Sequence, residues 1–363
     1  MAKAEEIKKR TAATLAALSN PETRQSLTAG MDEKTAADFL EDMDSILFDL
    51  ISEEEAEQQK ARGKYVYPAD KIHKSITAKR FPASGEMVVN LSGRAAKPAE
   101  RAYLTVSLKE MGARLSEPIT LEEKGVLFSV YSLIEAGYKW CTDVMLWRAL
   151  TGDAKADPTP EQSKHIDDMM KKLAGVAITI KATNEAGRGY IKREVTSWEM
   201  LISVSGISEK KTYQNGTKAR YFYRFKGVDN GRGGLSYEPI LLQLAKDNLH
   251  QIARLNSEVL NIQKINPKTG ELKALQKNPQ RIAIVQELLD FCITYNRAKS
   301  GGKPFYKMNQ RDYKSIFEAC EITTTQRKQI IRNKQYICDV LEHFKRNGLI
   351  KDYKTENDYI IIK

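Results

Sequence analysis

Residues 323–363 constrain the fold of this chain more tightly than any other stretch. Thr323-Thr324-Thr325 precede a run in which Ile330, Ile337, Leu341 and Phe344 recur at helical spacing, which predicts a helix with one apolar face. The threonines offer side-chain oxygens to the unpaired amides of its first turn. At about 100° per residue, Lys328, Arg332, Gln335, Asp339 and Arg346 project from the opposite side. Gly348 suits the left-handed position that ends a helix. Two strands, at 349–354 and 359–363, then flank a turn at Thr355-Glu356-Asn357-Asp358. Helix, glycine stop and hairpin make the last third of a winged helix. A helix with cations at its N-terminal end beside such a hairpin suits duplex DNA, with the helix in the major groove and the hairpin on phosphates.

From its start, the chain opens with an acidic helical extension over residues 1–57. In residues 38–51, Phe39, Met43, Ile46, Leu47 and Leu50 fall on one stripe with carboxylates opposite. That stripe suits dimerisation, a partner, or packing on its own protein. Residues 58–117 read as a basic linker with short strands at 87–91 and 101–108. Tyr65, Tyr67 and Phe81 lie among its cations and offer rings to bases, unless the segment only touches phosphates or connects.

A first winged-helix domain is expected over 118–248. Thr120 and Glu123 form a capping box, followed by a core stripe of Leu127, Val130, Tyr131 and Ile134. A second helix covers roughly 141–150, and a third opens at Thr159-Pro160-Glu161 and stops at Gly175. Strand signals follow, with turns at 184–187 and 214–217. Lys192, Arg193, Lys218 and Arg220 set cations along these wings, although lysine on an exposed strand also guards edges against pairing.

A second winged-helix domain is expected over 249–363. It begins with extended residues 250–262 and a turn at 266–270. A helix led by Pro279 then carries Ile282, Val285, Leu288, Leu289 and Cys292 on one face. A helix over 310–320, capped by Asn309, bears Arg311 and Lys314 ahead of the closing helix.

Charge and the absent motifs narrow the function. The 363 residues carry a net +11, divided as −8 over 1–57, +7 over 58–118 and +12 beyond. From Arg297 to Lys334, ten Lys/Arg stand against three Asp/Glu. An acidic head on a basic body points to a polyanion partner, with an ordinary lysine-rich surface as the plain alternative. A hydrophobic content of 41% excludes a disordered chain. No apolar run of ~18 residues is present to span a membrane. The opening MAKAEEIKKRTAAT lacks a signal-peptide core, so a cytoplasmic protein is expected. Cys141, Cys292, Cys320 and Cys338 form no CxxC pair and read as free thiols. His73, His165, His250 and His343 are too scattered for a paired-histidine nuclease. There is no P-loop, Rossmann or zinc spacing. Asp167-Asp168 and Asp42/Asp44 read as surface charge. No enzyme, cofactor, metal or catalytic residue is expected.

The order of parts is itself informative. A winged helix with an enlarged sheet, the segment LSYEPILLQL, and a second winged helix ending VLEHFKRNGLI…Y…YIIIK resembles the replication initiator (Rep) proteins of theta-replicating plasmids, over roughly residues 118–363. That resemblance implies an α+β chain of two tandem winged-helix DNA-binding domains behind a helical acidic N-terminal extension. It further implies binding of double-stranded DNA at origin repeats, self-association, and host replication proteins as partners. The ~118-residue extension departs from the pattern. On this reading Arg327, Lys328, Arg332 and Gln335 read base edges. Thr323, Thr324, Thr325, Arg311, Lys314 and Lys354 hold phosphates. A winged-helix transcriptional regulator and a protein-interaction scaffold that does not bind DNA are the competing expectations.

Overall fold

The computed structural model describes residues 64–77, 85–90, 102–110, 113–114, 119–184, 193–213, 216–229, 235–248, 251–300 and 309–363. The acidic extension, Phe81 and Lys192 lie outside the described residues. Two units are distinguished. One comprises Lys64–Ile207 with Lys218–Lys363; of the other, only parts of Ser208–Thr217 are described.

In chain order the elements begin with β1 (Lys64–Pro68), α1 (Lys71–Ser75), β2 (Glu86–Asn90), β3 (Ala102–Glu110) and β4 (Ala113–Arg114). A first helical group follows: α2 (Leu121–Glu135), β5 (Trp140–Thr142), α3 (Asp143–Thr151) and α4 (Pro160–Gly175). It continues with β6 (Val176–Asn184), β7 (Arg193–Met200), β8 (Val204–Tyr213) and β9 (Gly216–Phe225). Short pieces connect onward: β10 (Val228–Asp229), β11 (Leu235–Ser236), α5 (Ile240–Gln243), β12 (Ile252–Asn256), a 3-10 turn at Ser257–Leu260, β13 (Gln263–Ile265) and β14 (Leu272–Ala274). The second group is α6 (Pro279–Ser300), β15 (Gln310–Asp312), α7 (Tyr313–Ala319), α8 (Arg327–Arg346), β16 (Tyr353–Glu356) and β17 (Tyr359–Ile362).

The chain is thus α+β with several small sheets, and its two groups share one topology. Each runs helix, short strand, helix, helix, and then closes a three-stranded sheet, ordered β5-β9-β8 in the first and β15-β17-β16 in the second. The short strand pairs antiparallel with the last strand in both. The first group differs by an inserted hairpin, β6–β7, which extends a sheet ordered β2-β3-β6-β7. The closing hairpin turns at Asn357-Asp358, both at positive φ (46° and 64°), the conformation that matches strand twist in a two-residue turn.

Local sequence sets the helix starts. Thr120 Oγ1 accepts from the Glu123 amide at 3.2 Å while Glu123 Oε2 accepts from the Thr120 amide at 2.8 Å, completing the expected capping box. Thr142 caps α3 and Asp312 caps α7, accepting from the Met145 and Ser315 amides. The expected cap at Asn309 is therefore displaced by three residues, because Gln310–Asp312 pairs with β17; Asn309 instead donates to the Ile362 carbonyl at 3.1 Å.

The core is organised on α2, where every residue from Leu121 to Ile134 is buried. The stripe read from sequence was one side of a helix enclosed all round: Val126, Phe128 and Leu133 are buried as well. β1, α3, α4 and α6 surround it. Gly125 lies where α2 meets these neighbours, since a Cβ there would stand 2.8 Å from Leu150 Cδ1 and 3.2 Å from Gln286 Nε2. The two serine hydroxyls of α2 bond back to the helix itself. Ser132 Oγ donates to the Phe128 carbonyl at 2.6 Å and accepts from the Val66 amide at 2.8 Å. On the α6 side, Gln286 Nε2 donates to Tyr65 Oη at 3.2 Å, and the Tyr67 hydroxyl donates to Asp290 at 3.0 Å.

Tyr65 and Tyr67 are therefore core residues, at 1% and 0% exposure, and cannot stack on bases. Part of the segment read as a linker is a strand, β1, paired antiparallel with β12. Asp167 is also buried, accepting from the Tyr223 hydroxyl at 3.0 Å and from Lys171, so it is no surface charge.

The connection between the groups is pinned to the first. Gly152 ends α3 at φ +66°, and a Cβ there would stand 2.1 Å from the Ser257 carbonyl oxygen and 2.8 Å from the Asn261 amide. Because both obstacles are backbone, Gly152→Ala is expected to destabilise the protein by at least about 2 kcal/mol in urea unfolding. Gly175→Ala, with nothing within 4 Å, should stay within about 0.5 kcal/mol of wild type.

Candidate nucleic-acid interface

Helix α8 is amphipathic at its full length. Tyr336, Ile337, Val340, Leu341 and Phe344 are buried on one side. On the opposite side Arg327, Lys328, Ile331, Arg332 and Gln335 are exposed, with Ile331 at 56%. Gly348, at φ +71°, ends the helix as expected, and the Leu349 amide donates back to the Phe344 carbonyl at 2.9 Å.

The N-terminus departs from expectation. Its cap residue is Gln326, which makes no side-chain capping bond, and no acidic residue lies in the first turn. The three threonines sit just upstream. Thr323 and Thr325 are exposed, and Thr324 Oγ1 accepts from the Gln326 amide at 3.3 Å, which shapes the approach and does not cap the helix. The topologically equivalent helix α4 is finished quite differently. Thr159 and Gln162 form a capping box, Pro160 occupies the first turn, and Glu161 supplies negative charge there.

The C-terminal half of α8 is held by the connection. The His343 Nε2–H donates to the Glu258 carbonyl at 3.0 Å, and Nδ1 accepts from the Gln263 amide at 3.4 Å. The Arg346 guanidinium donates to the Gln263 carbonyl. Lys264 pairs with Asp339 at 3.2 Å, and Gln335 Nε2 donates to Asp339 at 3.0 Å. Asp339 thus bounds the exposed cationic face and engages Gln335, leaving Arg327, Lys328 and Arg332 together beyond it.

The other residues singled out from sequence scatter. Arg311 on β15 pairs with Glu287, a carboxylate on α6 that is 1% exposed, so its guanidinium is committed to the core. Lys314 on α7 is exposed, with Glu318 at 4.0 Å. Lys354 on β16 is exposed and pairs with Glu356 at 2.8 Å. Arg220 is exposed on β9; Arg193 begins β7 and Lys218 lies on β9, both in the first group. Sequence reasoning missed Ile331. Its signal was an apolar residue breaking into the charged side of the helix, at the angle of Arg327 and Lys328.

Among the described residues no helix is long and apolar enough to cross a membrane, and no group of three His, Cys, Asp or Glu could hold a metal ion. No family model and no curated protein matches this chain. Two crystal structures of domains 2 and 3 of RctB, one a selenomethionine derivative, align with 81% and 80% of this chain and 97% and 96% of theirs. Both alignments have 10% sequence identity and a TM-score of 0.35.

Two measurements separate structural from displayed groups. Arg311→Ala should lower stability by about 1–3 kcal/mol, since it removes the guanidinium that pairs with a buried carboxylate, whereas Arg332→Ala should leave the unfolding midpoint unchanged. Burial holds the His343 pKa below the ordinary 6.5, so folding favours the neutral ring. Its contribution is complete above about pH 6.5 and is lost as pH falls below that value. Urea midpoints of wild type should decline across this window relative to His343→Gln, whose profile should be flatter.

Proposed function

We propose that both groups are winged helices and that the chain binds double-stranded DNA sequence-specifically through α8. The observation that carries this reading is the N-terminal chemistry of that helix. Unpaired amides and the helix dipole make an N-terminus attract anions, so a helix built for stability places Asp or Glu there, as α4 does. Helix α8 places Arg327 and Lys328 there, with Thr323 and Thr325 exposed just upstream. That arrangement works against the helix on its own and suits an external phosphate. Arg327, Lys328 and Arg332 then face base edges, and Ile331 offers an apolar contact to a thymine methyl. Lys314, the threonines and Lys354 set register on phosphates. Arg193, Lys218 and Arg220 of the first group engage an adjacent half-site or a second copy.

At finer grain, the resemblance noted above supports a replication initiator of a plasmid or mobile element. On this reading it acts in the cytoplasm on origin repeats, with host replication proteins as partners and binding, not catalysis, as its task. A transcriptional regulator would bind DNA equally well but leave replication independent of the gene. A plasmid carrying the gene beside direct repeats separates the two: loss of plasmid maintenance on deleting the gene is expected, and indifference would overturn the initiator role.

DNA binding itself is tested by selecting duplexes from fragmented genomic DNA with wild type and measuring affinity across salt. Arg327→Glu should retain or slightly raise thermal stability while weakening the selected duplex by tenfold or more. Arg332→Ala should relax preference at one base position by about 1–3 kcal/mol. Selection of no duplex by wild type would overturn the proposal.

A further inference from the structure

We propose that the β13–β14 hairpin is a second DNA element, an apolar wedge that enters the minor groove beside the major-groove site of α8. This inference rests on the duplex-binding reading above. Ile265 and Leu272 sit directly opposite each other across the two strands. They are 46% and 57% exposed, on a ribbon that no third strand joins among the described residues. Such a pair is costly to leave in water. Its surroundings select the partner: Lys264 and Lys273, an exposed cross-strand pair, project from the ribbon's other face, Lys268 is exposed in the turn, and Glu271 is the one acid between Gln263 and Ala274. Exposed apolar side chains on a cationic ribbon suit a polyanion with stackable faces, and proteins that kink DNA insert such residues between base steps.

The hairpin is also mounted to act. A two-stranded ribbon alone is marginal, but here the Asn266 and Gly270 backbones close the turn at 2.8 Å. Its base is bound to α8 through His343, Arg346 and the Lys264–Asp339 pair. At 100° per residue, Asp339 and His343 lie within about 20° of Arg332 around the helix, and about 10–16 Å farther along it. The ribbon therefore stands beside the displayed face.

The test uses the full chain and the duplex that wild type selects. End-to-end fluorescence transfer reports bending, and 2-aminopurine at flanking steps reports unstacking. Wild type should bend the duplex by tens of degrees and brighten 2-aminopurine. The double variant Ile265→Ser/Leu272→Ser should melt like wild type, since both side chains are exposed. It should bind about 3–10-fold more weakly with an unchanged salt slope, and lose both signals. Lys268→Gln/Lys273→Gln should lower the salt slope by up to about two and keep the 2-aminopurine signal. Wild type that binds without bending, or a double variant that bends as wild type does, overturns the wedge and leaves α8 untouched. Wild type that binds no duplex overturns the α8 reading and the wedge with it.

Discussion

The enclosure of α2 is the constraint on which the rest of the structure depends. A helix with no solvent face needs every neighbour in place, and these come from distant parts of the chain: β1 before it, α3 and α4 after it, and α6 from the second group. The two groups consequently share one core. Buried polar atoms add direction to this packing. Ser132 to Val66, Tyr65 to Gln286 and Tyr67 to Asp290 are bonds across 66, 221 and 223 positions. Each would leave a stranded donor or acceptor if the elements slid past one another.

Around that shared core the two groups diverge in what they display. Their third helices occupy the same topological place, yet α4 begins with a complete capping box and an acidic first turn, whereas α8 begins uncapped and cationic. Local rules of helix stability are obeyed at one site and broken at the other. Violations of this kind concentrate where a protein meets something else. Repetition of a topology therefore does not imply repetition of its contacts.

Much of this was legible in the sequence, and the misses have physical causes. The Thr120 and Thr159 starts, the Gly348 stop and the apolar stripe of α8 follow from rules that act over four or five residues. Tyr65 and Tyr67 were misjudged because their neighbours in sequence are cations while their neighbours in space are α2 and α6. Arg311 looked like one more surface cation, since nothing local announces that Glu287 lies buried beside it. Asn309 lost its cap role to strand pairing, a partner that arrives from residues 359–362. Ile331 was passed over because an exposed apolar side chain leaves no periodic signature.

The glycine that ends α3 has a reach beyond its own turn. With Gly152 lying against the Ser257 carbonyl, and β12 paired to β1, the connection between the groups carries no hinge at either point. The ordering entropy of β12 and of Ser257–Leu260 is met when the chain folds. A ligand that spans both groups then meets a preorganised surface, whose affinity is not taxed by freezing two loose domains into register. The same stiffness means that mismatch in such a ligand must be absorbed by the ligand.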